Sequence, residues 1–430
     1  MTADMATRRS RVLAAGLWWI ALALTMALPL FQLRGRAIGD GIMSAVGILF
    51  LVQCRIERAG TWWRRGWFPF ALAFCGLAVL SSLLHGSRHA VGEAAVLVRF
   101  FLFAAALEHW VLRGAAARRR LGTVLGLVAA WLVVECWQQY LLGHNLLGYP
   151  RWPDGALTGP FYEPRAATPL LMTAFAGAMP VALRWMTARG WPWRAAGAAI
   201  VMLLVLTMVL IGQRMPALLF GLGLALTALF VRWARLPVLL AAVAGGVGLA
   251  LLPVLSPPAY AKLVVHFLQQ IRHFSDSAYG QIYIRAAAIV RDHPWLGLGA
   301  DGFRDFCADP AYVHGVRLFG LDLPARGAAE GCNIHPHNIY LEVATTAGLP
   351  GLACFMAMAA LWLGRMIRAL DPGAAPQQAM LCVICCVVLW PVASSSALFS
   401  ARTAGWIFLL VGWGLAAARD VAGEARLRRV

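Results

Sequence analysis

Apolar runs of about 20 residues recur along nearly the whole chain, and no other feature restricts its fold as strongly. Each run is long enough to cross the hydrocarbon core of a bilayer as a helix. Hydrophobic residues make up 61% of the chain, charged residues only 13%, and the mean hydropathy is +0.70. The sequence therefore predicts an all-α polytopic membrane protein. A transmembrane β-barrel is excluded, because its strands alternate polar and apolar residues in segments of ~10 residues.

The apolar runs predict twelve transmembrane helices separated by one long segment of mixed composition. The predicted spans are 13–32, 39–54, 67–85, 93–112, 121–142, 167–186, 195–212, 216–233, 236–253, 348–367, 378–396 and 402–418. The chain is thus divided into nine helices (1–253), a long loop (254–347), and three helices with a tail (348–430). Residues 259–274 and 281–291 have near-helical apolar spacing, so we expect a mostly helical subdomain in the long loop.

The net charge of +18 comes mainly from small arginine clusters between the apolar runs. If the spans alternate in direction, 22 of the 37 basic residues fall on one side of the membrane. Because positively charged loops stay in the cytoplasm, both termini are predicted to be cytoplasmic and the long loop to face the opposite side. This distribution is typical of topology signals and argues against a nucleic-acid partner.

A short polar stretch, His-Pro-His-Asn-Ile-Tyr-Leu-Glu at 335–342, stands directly before a long apolar run. Asn338 is a good N-cap residue, and Glu342 in the first turn complements the positive end of the helix dipole. His337 would then lie at the mouth of a helix, where partial positive charge disfavours protonation. A neutral imidazole in that position is a candidate general base. The alternative is a histidine that only hydrogen-bonds the loop.

Three arginines away from the basic clusters are further candidates. Arg214 stands in a tight turn between two predicted spans on the loop side, where an arginine near the membrane is a functional hypothesis. The alternative is an arginine that extends to lipid phosphates. For Arg285, in a predicted helix of the long loop, an ordinary solvated arginine is the commoner outcome. Arg99 lies inside the fourth span, where it either pairs with a carboxylate or lines a cavity.

Several sharper motifs do not lead to a cofactor. Residues 297–302 match G-x-G-x-x-G, but they follow a predicted helix rather than a strand and are interpreted as a turn. His335 and His337 could supply two metal ligands, but no third is suggested nearby, so no metal site is expected. The chain has no P-loop and no D-x-D motif, and we expect no cofactor. Cys307 and Cys332 both lie in the long loop, where a disulfide is one of two open alternatives.

Two short motifs resemble the signature of the O-antigen ligase/polymerase superfamily. One is His337-Asn338-x-x-Leu341 followed by Gly348-Leu349-x-Gly351. The other is the stretch His-Pro-Trp-Leu-Gly-Leu-Gly at 293–299. Twelve spans, cytoplasmic termini and one large periplasmic loop between helices 9 and 10 are similar to that family as well. The resemblance therefore covers essentially the whole chain, and it implies a GT-C-like fold.

Within the superfamily, the resemblance favours the O-antigen ligase. It implies transfer of O-antigen from undecaprenyl pyrophosphate to lipid A–core at the periplasmic face of the bacterial inner membrane. It also implies roles for individual residues. His337 would be the catalytic base, Arg214 and Arg285 would bind the pyrophosphate, and His335 and Asn338 would support them. In the helix that contains Arg285, this chain departs from the family pattern, because Tyr283 stands where the family usually has tryptophan.

The implied reaction fits these residue types. Arginine stabilises the charge that grows on a leaving pyrophosphate, and a histidine accepts the proton of the acceptor hydroxyl. Direct displacement inverts the anomeric centre and needs no paired carboxylates and no metal. Three alternatives remain open: an O-antigen polymerase, a periplasmic protein O-oligosaccharyltransferase, and a lipid-linked glycan transporter or flippase. The last would favour interrupted helices, mid-membrane charges and internal repeats, and the sequence has no convincing repeat.

Overall fold

The computed structural model describes residues 2–318 and 320–427, and within them the chain is overwhelmingly helical. Arg428 and Arg429, counted above with the basic clusters, lie outside the described residues. The α-helices are α1 (Thr2–Arg34), α2 (Arg36–Glu57), α3 (Phe68–His85), α4 (Arg88–Val96), α5 (Val98–Ala106), α6 (Ala115–Leu142), α7 (Ala167–Thr173), α8 (Met179–Met186), α9 (Trp191–Ile211), α10 (Arg214–Phe230), α11 (Arg235–Leu255), α12 (Pro257–Tyr260), α13 (His266–Arg272), α14 (Ala278–Asp292), α15 (Gly302–Phe306), α16 (Ile339–Arg368), α17 (Pro376–Val388) and α18 (Ala404–Leu427). The strands β1 (Val316–Leu318) and β2 (Leu321–Leu323) form an antiparallel hairpin.

Ten helical stretches among the described residues are long and apolar enough to cross a membrane. They are Val12–Arg34, Arg36–Glu57, Phe68–His85, Arg88–Val111, Ala115–Leu142, Ala167–Thr187, Trp191–Ile211, Arg232–Leu255, Ile339–Arg368 and Ala404–Val421. Two shorter apolar helices, α10 and α17, complete the set of twelve predicted spans. The prediction of an all-α polytopic membrane protein is confirmed.

The eleventh span departs most from its prediction. The apolar run extends to residue 396, but α17 ends at Val388 and the chain is irregular over 389–403. Pro391 accounts for the difference, because proline lacks an N–H donor and disfavours a helical conformation at Trp390 before it. The expected short gap between the last two spans is therefore a 15-residue segment, which we name the return segment.

The tenth span is longer than predicted and is broken in its first third. Helix α16 begins at Ile339 rather than at residue 348, and Ala347 and Gly348 have non-helical backbone angles. Gly348 has a φ of +67°, in the left-handed region that favours glycine. The break coincides with the predicted border between the long loop and the last helices.

The turn at 293–299 packs into this break. The N–H of Leu298 donates to the carbonyl of Thr345 at 2.7 Å, and the N–H of Leu349 donates to the carbonyl of Pro294 at 2.7 Å. The contact is close, since a Cβ on Gly348 would lie 2.5 Å from the backbone carbon of Trp295. The glycine motif is thus a turn, as predicted, and its partner is the kinked helix.

Contacts between distant parts of the chain define two ends of the helical bundle. At one end, Arg34 donates to the carbonyl of Pro160 at 2.6 Å, and the N–H of Ser395 donates to the carbonyl of His337 at 2.7 Å. We name this end, which carries residues 256–338, the loop face. At the opposite end Arg365 pairs with Glu108 (2.8 Å) and Arg118 with Asp420; we name it the basic face.

The interior of the bundle anchors the return segment. Phe399 of that segment stacks on Phe74 of α3 and Phe100 of α5, with ring centroids 5.6 and 6.1 Å apart. Phe408 of α18 lies in the same aromatic cluster, at 6.5 Å from Phe399. Because these rings are buried or half-buried against one another, the irregular segment has a fixed position at the loop face.

The long loop forms a small subdomain on the loop face. Helix α14 packs on α16, and Ile282, Ile289 and Phe303 form a separate small core with neighbouring apolar side chains. Cys307 and Cys332 form a disulfide beside this core, which decides between the alternatives left open by the sequence. The subdomain is helical up to α15, whereas the β1–β2 hairpin was not predicted.

Candidate active site

The start of α16 holds His337 in place through its neighbour Asn338. The side-chain oxygen of Asn338 accepts hydrogen bonds from the N–H groups of Tyr340 (2.9 Å) and Leu341 (3.1 Å). Its side-chain nitrogen donates to the carbonyl of Pro391 at 2.7 Å. Asn338 therefore caps the helix, as predicted, and also joins it to the return segment.

His337 has a left-handed backbone conformation, with a φ of +52°, which few residues other than glycine adopt. Its carbonyl oxygen accepts hydrogen bonds from the N–H of Ser395 (2.7 Å) and the hydroxyl of Tyr283 (3.3 Å). Its ring lies 5.1 Å from the ring of Tyr279, between centroids. Contacts from the return segment and from α14 thus hold a conformation that costs about 1–2 kcal/mol by itself.

The rings of His335 and His337 lie side by side, with centroids 4.2 Å apart. Burial, helped by the neighbouring His337 and Arg402, lowers the pKa of His335 to about 4. Burial also lowers the pKa of His337 below its ordinary value. Nε2 of His335 is buried and has no hydrogen-bond partner among the residues that the structure describes. Both imidazoles are therefore neutral near pH 7, and a neutral imidazole can accept a proton.

A cavity of about 580 Å³ adjoins this histidine pair, and we name it the main cavity. His335 and Pro336 line one wall, while Arg36, Arg99 and Arg402 line the part formed by the helical bundle. A cavity of this size is typical of sites that bind small-molecule ligands. The long loop contributes His335 and Arg304, whereas Arg36, Arg99 and Arg402 come from the helical bundle, so the site depends on the packing of both.

The arginines of the main cavity differ in how their charge is balanced. Arg99 pairs with Asp40, with Nε and Oδ1 3.0 Å apart, so it both meets a carboxylate and lines the cavity. The two alternatives stated for Arg99 therefore hold together. Glu342, also on the cavity wall, accepts a hydrogen bond from the N–H of Leu398 at 2.7 Å. That bond joins α16 to the return segment. Within the described chain, Glu342 forms no ion pair with an arginine.

Arg214 occupies the predicted turn between two spans. Gly212 ends α9 in a left-handed conformation, and Arg214 is the first residue of α10. Its Nη1 donates to the side-chain oxygen of Gln270 in α13 at 2.7 Å, and the side chain is half-buried. The preceding Gln213 donates to the carbonyl of Pro164. Arg214 therefore lies at the loop face in contact with α13, whereas His337 of the histidine pair contacts α14.

Arg285 is buried, with an exposed fraction of 1%, and the expectation of an ordinary solvated arginine is wrong. Its guanidinium donates to the carbonyl of Cys307 and, at 3.5 Å, to that of Gly327. Burial lowers its pKa, and its Nε has no partner in the described part of the chain. The reason is its helical position: α14 turns Arg285 towards the disulfide rather than towards the histidines.

Sequence reasoning missed three arginines that meet at the loop face. Arg36 begins α2, Arg165 lies before α7, and Arg402 lies near the end of the return segment. All three line a cavity of about 180 Å³, which we name the side cavity. Arg36 and Arg402 also line the main cavity, so the two cavities are neighbours. Sequence separation hid this cluster, because positions 36, 165 and 402 are far apart in the chain and share no motif.

Two other features lie apart from the histidine pair. A cavity of about 900 Å³ opens near the basic face, with Arg118, Arg184 and Asp371 at its rim and mainly apolar walls. Its described lining contains no histidine or cysteine, and it is separate from the histidine pair. His89, Glu93 and Asp301 place possible metal-ligand atoms within 4.8 Å of one another. That group does not include His335 or His337, and the expected absence of a metal there stays a prediction.

Comparison with protein families gives a match for the segment that contains the histidine pair. A family model described as O-antigen ligase matches residues 198–356, from α9 to just beyond the break in α16. The matched segment includes Arg214, Arg285 and both histidines of the pair. No curated protein sequence matches the chain. The resemblance inferred from the motifs is confirmed, and the chain is a multi-pass membrane enzyme of the type that transfers lipid-linked polysaccharide.

Proposed function

We propose, from the premise that residues 198–356 assign this chain to the O-antigen ligase family, that it is the ligase itself. In this proposal it moves O-antigen from undecaprenyl pyrophosphate to lipid A–core at the periplasmic face of the inner membrane. One observation carries the proposal: the histidine pair, which lies in the matched segment, adjoins an arginine-lined cavity and places the neutral ring of His335 on its wall. The cavity lies where the bundle meets the long loop, and such a position would allow both lipid substrates to enter from the bilayer.

His337 is the proposed general base. It accepts the proton of an acceptor sugar hydroxyl, and the hydroxyl oxygen then forms a bond to the anomeric carbon of the donor glycan. The bond from that carbon to the pyrophosphate oxygen breaks, and undecaprenyl pyrophosphate leaves with the electron pair. Direct displacement inverts the anomeric centre and needs no covalent enzyme intermediate. The ring of His335 lies 4.2 Å from that of His337, between centroids, and is itself neutral, so it places no positive charge beside the base.

Arg214 is a proposed ligand of the pyrophosphate. Its present bond to the neutral Gln270 amide could be exchanged for a stronger, charge-assisted bond to phosphate. Arg285 is in a different position, because its guanidinium already binds two backbone carbonyls. Direct contact with phosphate would require those bonds to break. The contacts of Arg285 favour instead a positioning role, in which it fixes the stretch 327–332 that leads to the histidines.

The closest alternative is an O-antigen polymerase, which uses the same donor with a second lipid-linked glycan as acceptor. A protein O-oligosaccharyltransferase would use a protein hydroxyl instead. A flippase would move the donor without breaking a bond. These activities share the donor and differ in the product, so product analysis separates them.

The test is transfer by purified protein in detergent, with undecaprenyl-pyrophosphate glycan, lipid A–core and a chelator. Loss of a general base lowers the rate by roughly 10²–10⁴-fold, so we expect His337→Ala to fall by that factor. Arg214→Ala should also be impaired. His273→Ala, an exposed histidine of the same subdomain, is the matched control and should retain activity.

The outcomes discriminate between the proposals. Glycan–lipid A–core formed by wild type and His273→Ala, but lost in His337→Ala with an unchanged thermal unfolding curve, supports the ligase and its base. Glycan elongated on its own carrier without lipid A–core supports the polymerase instead. Full activity of His337→Ala would remove the general-base assignment.

A further inference from the structure

Three arginines from distant parts of the chain converge beside the candidate active site. Arg36, Arg165 and Arg402 come from α2, from the loop before α7 and from the return segment, and together they line the side cavity. We name them the arginine cluster. None of them has an assigned role in the proposed reaction.

The charge of the cluster is poorly neutralised by the protein. Arg165 pairs with Glu163, but neither Arg36 nor Arg402 has a side-chain hydrogen bond or an ion pair within the described residues. Burial and the nearby charges of Arg36 and Arg165 lower the pKa of Arg402 to about 10, which still leaves it protonated at pH 7. Like charges held together without a counter-ion repel one another, so the fold maintains an arrangement that an anion would stabilise.

The acidic side chains on and near the wall of the main cavity do not supply that anion. Glu342 is bound to the backbone of the return segment, and Asp40 is paired with Arg99. Glu93 and Asp301 lie together in the group that also contains His89. Arg36 and Arg402 of the cluster therefore form a positively charged side of the main cavity, whose carboxylates have other partners.

The surroundings indicate an anion that is attached to a lipid. A third cavity of about 500 Å³ lies beyond Arg36 and Arg165 and is lined by Leu33, Phe161 and Tyr162 as well. At this end of α1 and α2, apolar side chains are exposed: Leu30 and Ile38 each have an exposed fraction of 53%. A charged head group at the cluster would thus leave an attached apolar chain beside the lipid-facing surface of the bundle.

We propose that the arginine cluster of Arg36, Arg165 and Arg402 binds phosphate groups of a lipid-linked substrate. The planar guanidinium groups can bind phosphate oxygens in bidentate fashion. Arg402 and His335 line the same cavity, so a phosphate bound at the cluster would lie near the histidine pair. The inference rests on the proposed function for the identity of the substrates. The diphosphate of the donor and the phosphates of the acceptor share this chemistry.

The experiment measures lipid binding rather than transfer. Native mass spectrometry of the detergent-solubilised protein gives the Kd of undecaprenyl diphosphate without glycan and of bisphosphorylated lipid A; undecaprenol is the neutral reference. The variants are Arg36→Gln, Arg402→Gln and Arg402→Lys. Arg317→Gln is the matched control, because Arg317 is an exposed arginine of the hairpin that lies outside all these cavities. Within the described chain neither Arg36 nor Arg402 makes a side-chain hydrogen bond or ion pair that the substitution would break, so we expect folding to be retained.

We expect Arg36→Gln and Arg402→Gln to weaken binding of at least one phosphorylated lipid about tenfold or more, equal to about 1.4 kcal/mol. Arg402→Lys should lose less, and undecaprenol binding should not change. Weakening confined to undecaprenyl diphosphate assigns the cluster to the donor, and weakening confined to lipid A assigns it to the acceptor. Wild-type affinity for both lipids in a combined Arg36→Gln/Arg402→Gln variant would overturn the inference, as would an equal loss in Arg317→Gln.

Failure of the proposed function would look different. If wild type forms no glycan–lipid A–core product, the ligase proposal fails. Arginine-dependent binding of phosphorylated lipids would still establish the site. Conversely, a ligase whose lipid binding does not depend on Arg36 or Arg402 keeps its function and loses this site.

Discussion

His335 and His337 are separated by a single proline, yet their side chains meet different surroundings. His335 lines the main cavity and is near Arg402, whereas His337 packs against Tyr279 and has its backbone fixed by Ser395. A base must combine a neutral ring with a fixed position, and His337 has both. Burial is the main reason that His335 is kept neutral as well, and the nearby charge of Arg402 adds to it.

The lowered pKa of His337 leads to a prediction for the pH dependence of transfer. Burial favours the neutral ring, so the proton-accepting form persists below the ordinary pKa of 6.5. We expect kcat/KM to stay near its plateau as the pH is lowered through 6.5 and to decline only at lower pH. Initial rates measured between pH 5 and 8 with glycan donor and lipid A–core check this. A decline centred at or above pH 6.5 would contradict the prediction.

At this scale, local signals were predictable from the sequence and long-range ones were not. Asn338 caps α16 because capping depends on residues two and three positions away, which the sequence shows directly. The burial of Arg285 depends on Cys307, 22 residues further along the chain. The convergence of Arg36 and Arg402 depends on the packing of the whole bundle. A single sequence contains no information on such distances.

Among the structural elements, the broken helix α16 has the greatest influence on the site. Its first part carries Asn338 and Glu342, and its second part spans the bundle. The turn at 293–299 fills the break, so the position of the long loop relative to the helices depends on close backbone contact there. A glycine with positive φ at the break is the residue that permits this contact.

We therefore predict that Gly348→Ala destabilises the protein more than Gly364→Ala in the same helix. At Gly348, a side chain with φ of +67° costs about 1–2 kcal/mol, and its Cβ would lie 2.5 Å from the backbone of Trp295. At Gly364 the nearest atom to a new Cβ is the flexible end of Arg368, 3.7 Å away. Thermal unfolding in detergent measures the difference. Equal unfolding temperatures for the two variants would show that the turn and the break are not tightly coupled.

The return segment marks the limit of sequence reasoning at the level of elements. Twelve apolar runs were enough to place twelve helices, because a run of about 20 residues has few alternatives in a bilayer. The apolar residues of 389–396 extended the eleventh run, and only Pro391 indicated that the helix ends early. This error concealed the element that contributes Ser395 and Arg402 to the site.

Over the whole molecule, the distribution of charge and the position of the cavities agree. The histidine pair, the arginine cluster and the long loop share the loop face, where Arg34 contacts Pro160. The basic clusters between the spans share the opposite face, where Arg365 pairs with Glu108. In a membrane, clustered arginines between spans keep their loops in the cytoplasm. The site would then face the compartment in which lipid-linked glycans are joined to their acceptors.

This orientation can be tested with protease sites inserted at two exposed glycines. Gly320 lies at the tip of the β1–β2 hairpin on the loop face, and Gly373 lies between α16 and α17 beside the basic Arg365 and Arg368. In spheroplasts we expect added protease to cut the site at Gly320 and to leave the site at Gly373 intact until the membrane is lysed. Reversing the orientation would place the arginine clusters outside, at a cost set by the positive-inside rule. Cleavage at Gly373 in intact spheroplasts, with Gly320 protected, would put the histidine pair on the cytoplasmic side, where a periplasmic ligase could not use it.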